Sequence, residues 1–542
     1  MSGHFRTAAV ALVAAVALLA NGPASAQAQA PAVPVPLPTP AEEADYLSFT
    51  APGEVGPYLG RLAAEGEGVT VDSLQAPTPI PIIRIAPTPD DRDEPGGDEP
   101  GGHEPAPAPD PDVPVVRVLL VGAQHGTERA GVEVALRIAR DLATGRLASL
   151  RRGLEVRIVP MANPWGVANR RTETADGVDM NADHVHLAAP ETRALWAEYA
   201  AWRPHLVLDL HEIGPSEYTV QVGVPTHPNA PGAAMFARFY LLPFVANELA
   251  GSDVRYHEYV AEWSGGRPVE GAASPSSDPD ADGAGDAGVQ FTPPPLDPAS
   301  ARNAFALAGS VAYFVAVSSS RDIIGLEERT ERLYIAVRAL LAGAAGLAPD
   351  LVAAGVAAAR LPKGALALQP RYVAKSPDAS LPWIFTNPRG QRESGRLAPW
   401  RSEVAVDLDL EAPGGWWLHS DQVDLADALR RHGFEVSAGG DGGPAAATLL
   451  AYPRCVPDPT GGDADASRFL RPVASSPPEG ALWVSADQPG GRLLFTLLEP
   501  WSTGGWFARE FYDFGDPGDD ESRDQTGACD EGATFPVVRV PR

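Results

Sequence analysis

Three side chains of types that commonly bind metal ions lie where two strands of a sheet are predicted to end. His125 and Glu128 follow the apolar run Val116–Gly122, and His211 closes a second, largely apolar run, Leu206–Leu210. Imidazole nitrogen and carboxylate oxygen are ligands that zinc favours, and a catalytic zinc site has three protein ligands with the fourth position left to water. The sequence therefore predicts that these three residues bind one zinc ion. Taken alone, His211 is also compatible with a hydrogen-bonded histidine of the core.

Two strands and a helix must position these ligands. The β-branched residues before His125 predict a strand, and the spacing of apolar residues over Val132–Leu142 predicts a helix that ends before Gly145. Gly126 lets the backbone turn sharply between the strand and the helix. Ligands of open α/β sheets bind at the carboxyl ends of the strands, so the two predicted strands bring the three side chains to one edge of the sheet.

A third segment, between the two histidines, carries further polar residues in a distinctive order. It reads Asn-Pro-Trp-Gly over 163–166, then Arg170-Arg171, and then Gly-Val-Asp-Met-Asn over 177–181. Together with the predicted ligands, this order resembles the zinc metallocarboxypeptidases of the carboxypeptidase A type. The resemblance extends from about Val116 to Glu212.

The segments that follow extend this resemblance. Pro190–Leu195 and Arg203–His205 resemble a bacterial exported branch of the family. The resemblance implies a carboxypeptidase-like fold, one zinc ion and hydrolysis of peptide amide bonds. Independently, the alternation of predicted strands and helices predicts an α/β fold, a mixed, mostly parallel sheet with helices on both faces.

The resemblance also implies roles for residues around the zinc ligands. Arg170 or Arg171 is implied to stabilise the developing oxyanion, which requires preorganised positive charge, and Arg170 is the first choice. A solvated surface pair is the alternative for these arginines. Asn181 is implied to bind substrate. Asp209 lies two residues before His211 on the same strand face, where it either orients that ligand or caps a neighbouring loop.

Two positions depart from the family. Ala182 follows Asn181 where the family has an arginine, whose fork of donors suits a substrate carboxylate. Val317, near the end of an apolar run, occupies the expected position of the glutamate that serves as the catalytic base. The nearest acids, Glu327 and Glu328, are weak substitutes, because acids at the start of a helix are also favoured by the helix dipole.

Composition divides the chain into four parts. Residues 1–26 combine a basic start, an apolar stretch and a small-residue cleavage site, as a secretory signal peptide does. Residues 27–44 are predicted to form a flexible leader, residues 45–348 the zinc carboxypeptidase-like domain, and residues 349–542 a smaller β-rich C-terminal domain. Polar stretches near 88–114 and 264–288 contain too few apolar residues to form a core and are predicted to be disordered insertions.

Short β-rich runs characterise the C-terminal part and suggest a small sandwich. They are Gly364–Leu368, Val404–Leu410, Ala481–Ser485 and Arg492–Leu498, and one helix is predicted over Val423–His432. Cys455 and Cys529, the two cysteines of the chain, form one disulfide or remain free thiols.

Charge and hydropathy narrow the partners. Lys and Arg total 42 against 70 Asp and Glu, and the resulting net charge of −28 argues against nucleic acid as a partner. No segment beyond the signal peptide approaches the roughly 18 apolar residues of a membrane span. The signal peptide predicts export to the periplasm or the medium, and the resemblance implies a peptide or cell-wall peptide as substrate. The protein is expected to be a monomer.

Three functions fit these observations. The first is an exported zinc-dependent hydrolase of the metallocarboxypeptidase type, with activity reduced by the loss of the base. The second is a degenerate peptidase that serves as a zinc-containing peptide- or cell-wall-binding module, because the changes at Ala182 and Val317 each remove a charge that the chemistry needs. The third is a small-molecule amide deacylase with the same zinc ligands.

Overall fold

Eleven strands among the described residues before position 320 form two sheets, one of eight strands and one of three. In this computed structural model the described residues are 37–88, 114–252, 254–264, 267–268, 289–319, 323–386, 391–397, 400–438, 449–453, 470–473, 477, 479–507 and 534–542. The strands are β1 (Val69–Leu74), β2 (Ile80–Ile85), β3 (Val116–Gly122), β4 (Leu154–Val159), β5 (Leu206–Ile213), β6 (Val220–Gly223), β7 (Tyr256–Glu258), β8 (Ala261–Ser264), β9 (Arg267–Pro268), β10 (Val289–Thr292) and β11 (Val311–Ser318).

The main sheet confirms the predicted mixed α/β architecture. Its strand order is β1-β2-β4-β3-β5-β11-β6-β7, and β8, β9 and β10 form a separate three-stranded sheet. The four central strands, β4, β3, β5 and β11, are parallel to one another. The pairs β1–β2, β2–β4 and β11–β6 are antiparallel, and β7 is parallel to β6. Every residue of β5 is buried, as expected for a parallel strand covered on both faces.

Helices cover both faces of this sheet. On one face, the backbone N–H of Ala130 donates to Glu212 of β5, and Arg329 forms an ion pair with the same carboxylate. On the other face, Val207 of β5 packs in one apolar cluster with Trp196. The helices before residue 360 are Pro40–Glu43, Pro52–Glu65, Ala130–Ala143, Ala148–Arg151, Pro164–Asn169, Pro190–Trp202, Pro231–Phe236, Leu242–Ala250, Ala301–Leu307, Leu326–Gly346 and Ala348–Ala359, with a 3₁₀ turn at Met180–Ala182 and a π-helical turn at Ala237–Leu241.

The C-terminal part is β-rich, as predicted. Its strands are β12 (Ala365–Val373), β13 (Leu381–Thr386), β14 (Arg392–Leu397), β15 (Glu403–Glu411), β16 (Gly415–Leu418), β17 (Ser437–Ala438), β18 (Leu449–Pro453), β19 (Arg471–Val473), β20 (Leu482–Ser485) and β21 (Thr534–Val540), and its helices are Val423–Arg431 and Gly491–Leu498. The described strands form one six-stranded sheet and two two-stranded ribbons, β12 with β15 and β13 with β14.

The strand predicted over Arg492–Leu498 is wrong, because Gly491–Leu498 is a helix. Gly490, at a φ of 85°, precedes this helix in the left-handed conformation that glycine adopts without strain. Seven of the eight helical residues are buried, so the continuous apolar run reflects a helix enclosed by the core. A short apolar run of this kind does not by itself distinguish a buried strand from a buried helix.

The C-terminal part shares a core with the sheet. One apolar cluster contains Val207 of β5, Phe305, Trp416 of β16 and Phe495. By its contacts, the chain from Thr39 to Arg542 forms one compact unit, and the structure describes only residues 37 and 38 of the preceding unit. The domain boundary near residue 348 stays a prediction. Side chains from both sides of it pack in this one apolar cluster.

Several predictions fall outside the described residues. They concern the signal peptide, most of the leader, most of the two polar insertions, and both Cys455 and Cys529. The last residues of the predicted leader belong to the helix Pro40–Glu43. Among the described residues, no single helix is long and apolar enough to cross a membrane; Leu326–Gly346 and Ala348–Ala359 meet that test only as a pair bent by 90°.

A buried carboxylate lies in the first turn of the helix Ala130–Ala143. Oε1 of Glu133 accepts a hydrogen bond from the backbone N–H of Thr50 at 2.9 Å, and Oε2 accepts one from the Thr50 hydroxyl at 2.7 Å. Burial, with a smaller contribution from the nearby Glu42 and Glu54, raises the pKa of Glu133 to about 7 despite the lowering effect of the Thr50 hydrogen bonds. The folded protein therefore retains a proton on Glu133 that the unfolded chain releases near pH 4.5.

Glu133→Gln is expected to stabilise the protein at pH 8 and to change little at pH 4.5. The pKa of Glu133 is about 7 in the folded state and 4.5 in the unfolded state. The stability that this group contributes is therefore fully present below pH 4.5 and is lost as the pH rises through 7. The shift corresponds to roughly 3 kcal/mol, at about 1.4 kcal/mol for each unit of pKa. Urea denaturation at both pH values measures the change, with the exposed Glu65→Gln as the charge-matched control. An equal effect of Glu133→Gln on stability at the two pH values would contradict the raised pKa of Glu133.

Candidate metal centre

The three predicted zinc ligands converge on one buried point. Nδ1 of His125 lies 3.0 Å from Oε1 of Glu128, and Nδ1 of His211 lies 2.8 Å from Oε2 of the same carboxylate. One ligand atom from each residue lies within 4.8 Å of the others, and all three side chains are buried. β3 leads to His125 and β5 carries His211 near its carboxyl end, as the sequence predicts for a site at the edge of a parallel sheet.

The outer nitrogens of both histidines face carboxylates. Nε2 of His125 lies 2.9 Å from Oδ1 of Asp179, and Nε2 of His211 lies 2.7 Å from Oδ2 of Asp209. A proton on each Nε2 satisfies these contacts, and loss of the Nδ1 proton to a metal ion would leave a lone pair for that ion on the side of Glu128. Metal-bound histidines usually donate their second N–H to a carboxylate in this way. Of the two roles open for Asp209, the contact with His211 corresponds to orienting that ligand.

The charges of the centre suit a divalent cation. Burial by itself favours the neutral form of His125, but Asp179 and Glu128 outweigh it and hold its pKa well above 6.5. The same balance, with Asp209 and Glu128 as the carboxylates, raises the pKa of His211 to about 9. Three carboxylates thus surround two imidazoles in a buried space, and two imidazoles with a carboxylate are a donor set that zinc favours. The residues present fit one zinc ion.

Close backbone packing fixes the segment between His125 and Glu128. A Cβ on Gly126 would lie 2.1 Å from the carbonyl carbon of Gly166, so only glycine fits there. Asn163 holds the facing loop: its Oδ1 accepts the N–H of Gly166 at 2.8 Å, and its Nδ2 lies within 3.2 Å of the carbonyl oxygens of Gln124 and Thr172. The Asn-Pro-Trp-Gly segment therefore acts as a support for the ligand loop.

The two predicted oxyanion arginines are exposed beside this loop. Arg170 ends the helix Pro164–Asn169 in a left-handed conformation, at a φ of 55°. Burial lowers the pKa of Arg129, the residue after Glu128, and the positive charge of the nearby Arg170 lowers it further. Arg171 is 63% exposed, with its Nε 3.5 Å from Oε2 of Glu173. Their role in oxyanion binding stays a prediction.

Asn181 lies next to the carboxylate that supports His125. Its backbone N–H donates to Oδ1 of Asp179 at 2.9 Å, and its side-chain Oδ1 accepts the N–H of Ala301 at 3.3 Å. The amide thus links the ligand set to the start of the helix Ala301–Leu307. Ala182, which follows, contributes no guanidinium.

The strand register decides which face of β11 carries Val317, the expected position of the catalytic base. Val317 pairs with Glu212, whereas Ala316 pairs with His211. Paired residues of neighbouring strands share a face, and successive residues alternate between faces. Val317 therefore lies on the face opposite His211, and Ala316, with Phe314, lies on the ligand face. The ring of Phe314 stacks on His211 at 4.3 Å between centroids.

The acids named as substitutes for the base lie at the surface. Glu327 and Glu328 are exposed in the first turn of the helix Leu326–Gly346, and Glu328 is paired with Arg332. Glu212 is nearer to the centre, since its backbone N–H donates to Oε2 of Glu128 at 2.9 Å. Its side chain, however, is committed to Ala130 and Arg329 on the other face.

Two residues near the centre, Asp179 and Arg302, were assigned no role from the sequence. Asp179 lies in the Gly-Val-Asp-Met-Asn segment over 177–181. A metal-bound His125 needs a carboxylate partner, and this need could have identified the role of Asp179. Arg302, which precedes β11, is buried close enough to Asp209 for the two charges to interact. Nothing in its sequence context indicates burial, because arginine is usually exposed.

Comparison with known proteins gives partial matches. No family model matches the chain. A probable carboxypeptidase 2 from Trichophyton verrucosum is 35% identical over 99 residues, which are 18% of this chain and 19% of the relative. Carboxypeptidase 2 from Trichophyton tonsurans is equally similar, over 18% of each chain. The match thus spans less than a fifth of the length of these relatives.

Solved structures with lower identity were also found. A metallo-carboxypeptidase from Pseudomonas aeruginosa is 17% identical, with 54% of this chain and 68% of the other covered and a TM-score of 0.35. Carboxypeptidase A from Helicoverpa armigera is 16% identical, with 56% and 75% covered and a TM-score of 0.38. The fold assignment rests on the sheet order of the chain itself. The sequence similarity to the Trichophyton carboxypeptidases supports the predicted resemblance to carboxypeptidases.

Proposed function

We propose that this chain is an exported, zinc-dependent hydrolase of peptide amide bonds, of the metallocarboxypeptidase type, with a peptide or cell-wall peptide as substrate. The observation that carries the proposal is the convergence of two Nδ1 atoms on the Glu128 carboxylate, with Asp179 and Asp209 behind the rings. Export is supported by the composition of residues 1–26. The similarity to carboxypeptidases supports the reaction class.

The residues of the chain divide the work of such a reaction. His125, Glu128 and His211 hold the zinc ion, which when bound supplies Lewis-acid polarisation of a carbonyl and a water of lowered pKa. Asp179 and Asp209 fix the two rings and keep the protons on Nε2. Arg170 or Arg171 offsets the negative charge that develops on the substrate carbonyl oxygen.

Metal content and cleavage test the proposal together. The purified mature chain is expected to contain one zinc ion and to cleave members of a broad peptide panel. A chelator is expected to abolish the cleavage and added zinc to restore it. A chain without stoichiometric zinc would refute the proposal.

A second candidate is a zinc-containing peptide-binding module. It is favoured by the side chains that β11 presents on the ligand face, Phe314 and Ala316, neither of which can accept a proton. A zinc-loaded chain that binds peptides of the panel and cleaves none of them would support this candidate over the hydrolase.

A further inference from the structure

The C-terminal part contacts the loop that follows Asp179. The indole N–H of Trp506 donates to the carbonyl oxygen of Val185 at 2.7 Å, and Nε2 of His432 lies 3.3 Å from the carbonyl oxygen of His184. Both side chains of the C-terminal part are buried at this contact. Because a buried carbonyl oxygen that loses its donor is costly, the bond from Trp506 is expected to fix the loop.

Aromatic rings pack around His432 at the same contact. The rings of Trp196 and Trp506 lie 5.3 and 5.4 Å from that of His432, both edge to face, and the indole N–H of Trp196 donates to the carbonyl oxygen of His432 at 3.2 Å. Such ring pairs favour one relative orientation. We refer to Trp196, His432 and Trp506 as the aromatic junction.

The segment that carries Trp506 packs closely against the turn before the helix Ala301–Leu307. Gly504 has a φ of 76°, and a Cβ there would lie 2.6 Å from Cδ of Pro298, so glycine is required for this approach. The same turn also binds the loop, because the carbonyl oxygen of Ala299 accepts the backbone N–H of His184 at 3.2 Å. The loop is therefore held by several buried contacts at adjacent residues.

The loop connects to two sides of the first ligand, His125. Oδ1 of Asp179 lies 2.9 Å from Nε2 of His125 and accepts the backbone N–H of Asn181 at 2.9 Å. Further along the loop, Nε2 of His184 lies 2.8 Å from Oε1 of Gln124, the residue before His125. Burial lowers the pKa of His184 to about 4, so at neutral pH its ring carries one proton, which Nε2 donates to Gln124.

We propose that the C-terminal part positions the metal centre through the aromatic junction, an inference that rests on the zinc site of the proposed function. Trp506 and His432 hold the loop between Asp179 and Val185. The loop in turn holds a carboxylate behind His125 and a hydrogen bond to the residue before it. A ligand that is ordered before the ion arrives lowers the entropy cost of binding, so the C-terminal part contributes to zinc affinity.

Trp506→Phe tests this role because it removes the N–H donor and keeps an aromatic ring. It is expected to lower the zinc affinity of the full chain about 3- to 10-fold, less than the 10- to 100-fold that is typical for loss of a carboxylate in contact with a ligand. Trp416→Phe is the matched control. Trp416 is equally buried, and its indole N–H donates to Glu499 within the C-terminal part at 3.1 Å. The control is expected to keep wild-type zinc affinity in competition with a chromophoric chelator.

Double-mutant cycles separate positioning from a general loss of stability. If Trp506 acts through the loop, Trp506→Phe is expected to cost little further zinc affinity in a chain that already carries Asp179→Asn. In a chain that carries Asp209→Asn, behind the other histidine, the full effect of Trp506→Phe is expected. A loss that arises from global stability would be equal in the two backgrounds.

His184 provides a second variant at the other end of the loop. His184→Phe keeps a ring beside Phe305, 4.9 Å away in the wild type, but it removes the donor to Gln124. It is expected to lower zinc affinity about as much as Trp506→Phe. His184→Gln places an amide N–H near the position of Nε2 and is expected to restore most of the affinity.

Three results would overturn the inference. The first is wild-type zinc affinity in Trp506→Phe, or in His184→Phe if the Trp506 variant does not fold. The second is an equal loss in Trp506→Phe and Trp416→Phe, and the third is full additivity of Trp506→Phe with Asp179→Asn. The proposed function fails separately: a chain that shows this pattern of zinc affinities and cleaves no peptide retains the positioning without the hydrolase activity. A wild-type chain that binds no zinc would refute both.

Discussion

His211→Ala is expected to lower the zinc affinity of the chain by more than 100-fold, so that the purified variant contains almost no zinc. The reason is that His211 supplies one of three convergent ligand atoms, and its loss leaves Glu128 with a single imidazole partner. Loss of an outer carboxylate alone typically costs 10- to 100-fold in metal affinity, so Asp209→Asn is expected to have a smaller effect. Competition with a chromophoric chelator at neutral pH measures both affinities.

His205→Ala is the matched control for this prediction. His205 is also buried, directly before β5, and its Nδ1 accepts the backbone N–H of Arg117 at 3.1 Å. The variant therefore loses a buried histidine from the other end of the same strand without losing a ligand, and it is expected to retain wild-type zinc affinity. Full zinc content in His211→Ala would show that zinc binds at a site other than His125, Glu128 and His211.

The main elements of the fold could be predicted because their patterns are local. Residue spacing places the helix Ala130–Ala143 to within two residues at its start and one at its end, and the apolar run before His125 is the strand Val116–Gly122. The ligand set was also accessible, because the carboxyl ends of parallel strands share an edge of the sheet. Histidine and glutamate at two such ends are sufficient to predict convergence.

Which residues of β11 share a face with His211 could not be predicted from the sequence, because this depends on the pairing of two strands. A shift of one residue moves a side chain from one face of a sheet to the other. The run from Val311 to Val317 is apolar throughout, so it contains no alternation that identifies the ligand face. Only the register with β5 shows that Ala316, and not Val317, shares a face with His211.

The packing of the C-terminal part could not be predicted from the sequence either, because it depends on contacts between residues far apart in the chain. Nδ2 of Asn229 donates to the carbonyl oxygen of Ala367 at 2.8 Å, and the indole N–H of Trp506 donates to that of Val185 at 2.7 Å. These bonds join residues 138 and 321 positions apart. No local pattern encodes such contacts, and the second of them braces the segment that follows Asn181.

Ala316→Glu is expected to increase zinc-dependent peptide hydrolysis by about 10²- to 10⁴-fold, the usual contribution of a general base. The substitution places a carboxylate on the ligand face of β11, at the position paired with His211. Ile213, Tyr259 and Phe314 surround this position, so the cost of burying the new charge is expected to reduce the gain toward the lower end of that range. Initial rates on the peptide panel, with and without chelator, measure the effect.

Two variants separate base catalysis from other effects of the substitution. Ala316→Gln has the same size but cannot accept a proton from water, so it is expected to show no gain. Val317→Glu directs its carboxylate to the other face, beside the buried Glu212, where like charges repel, and it is expected to lose stability and gain no activity. A gain in Val317→Glu and none in Ala316→Glu would reject the strand register. Equal gains in Ala316→Glu and Ala316→Gln would show that space or polarity limits the wild type, and not the absence of a base.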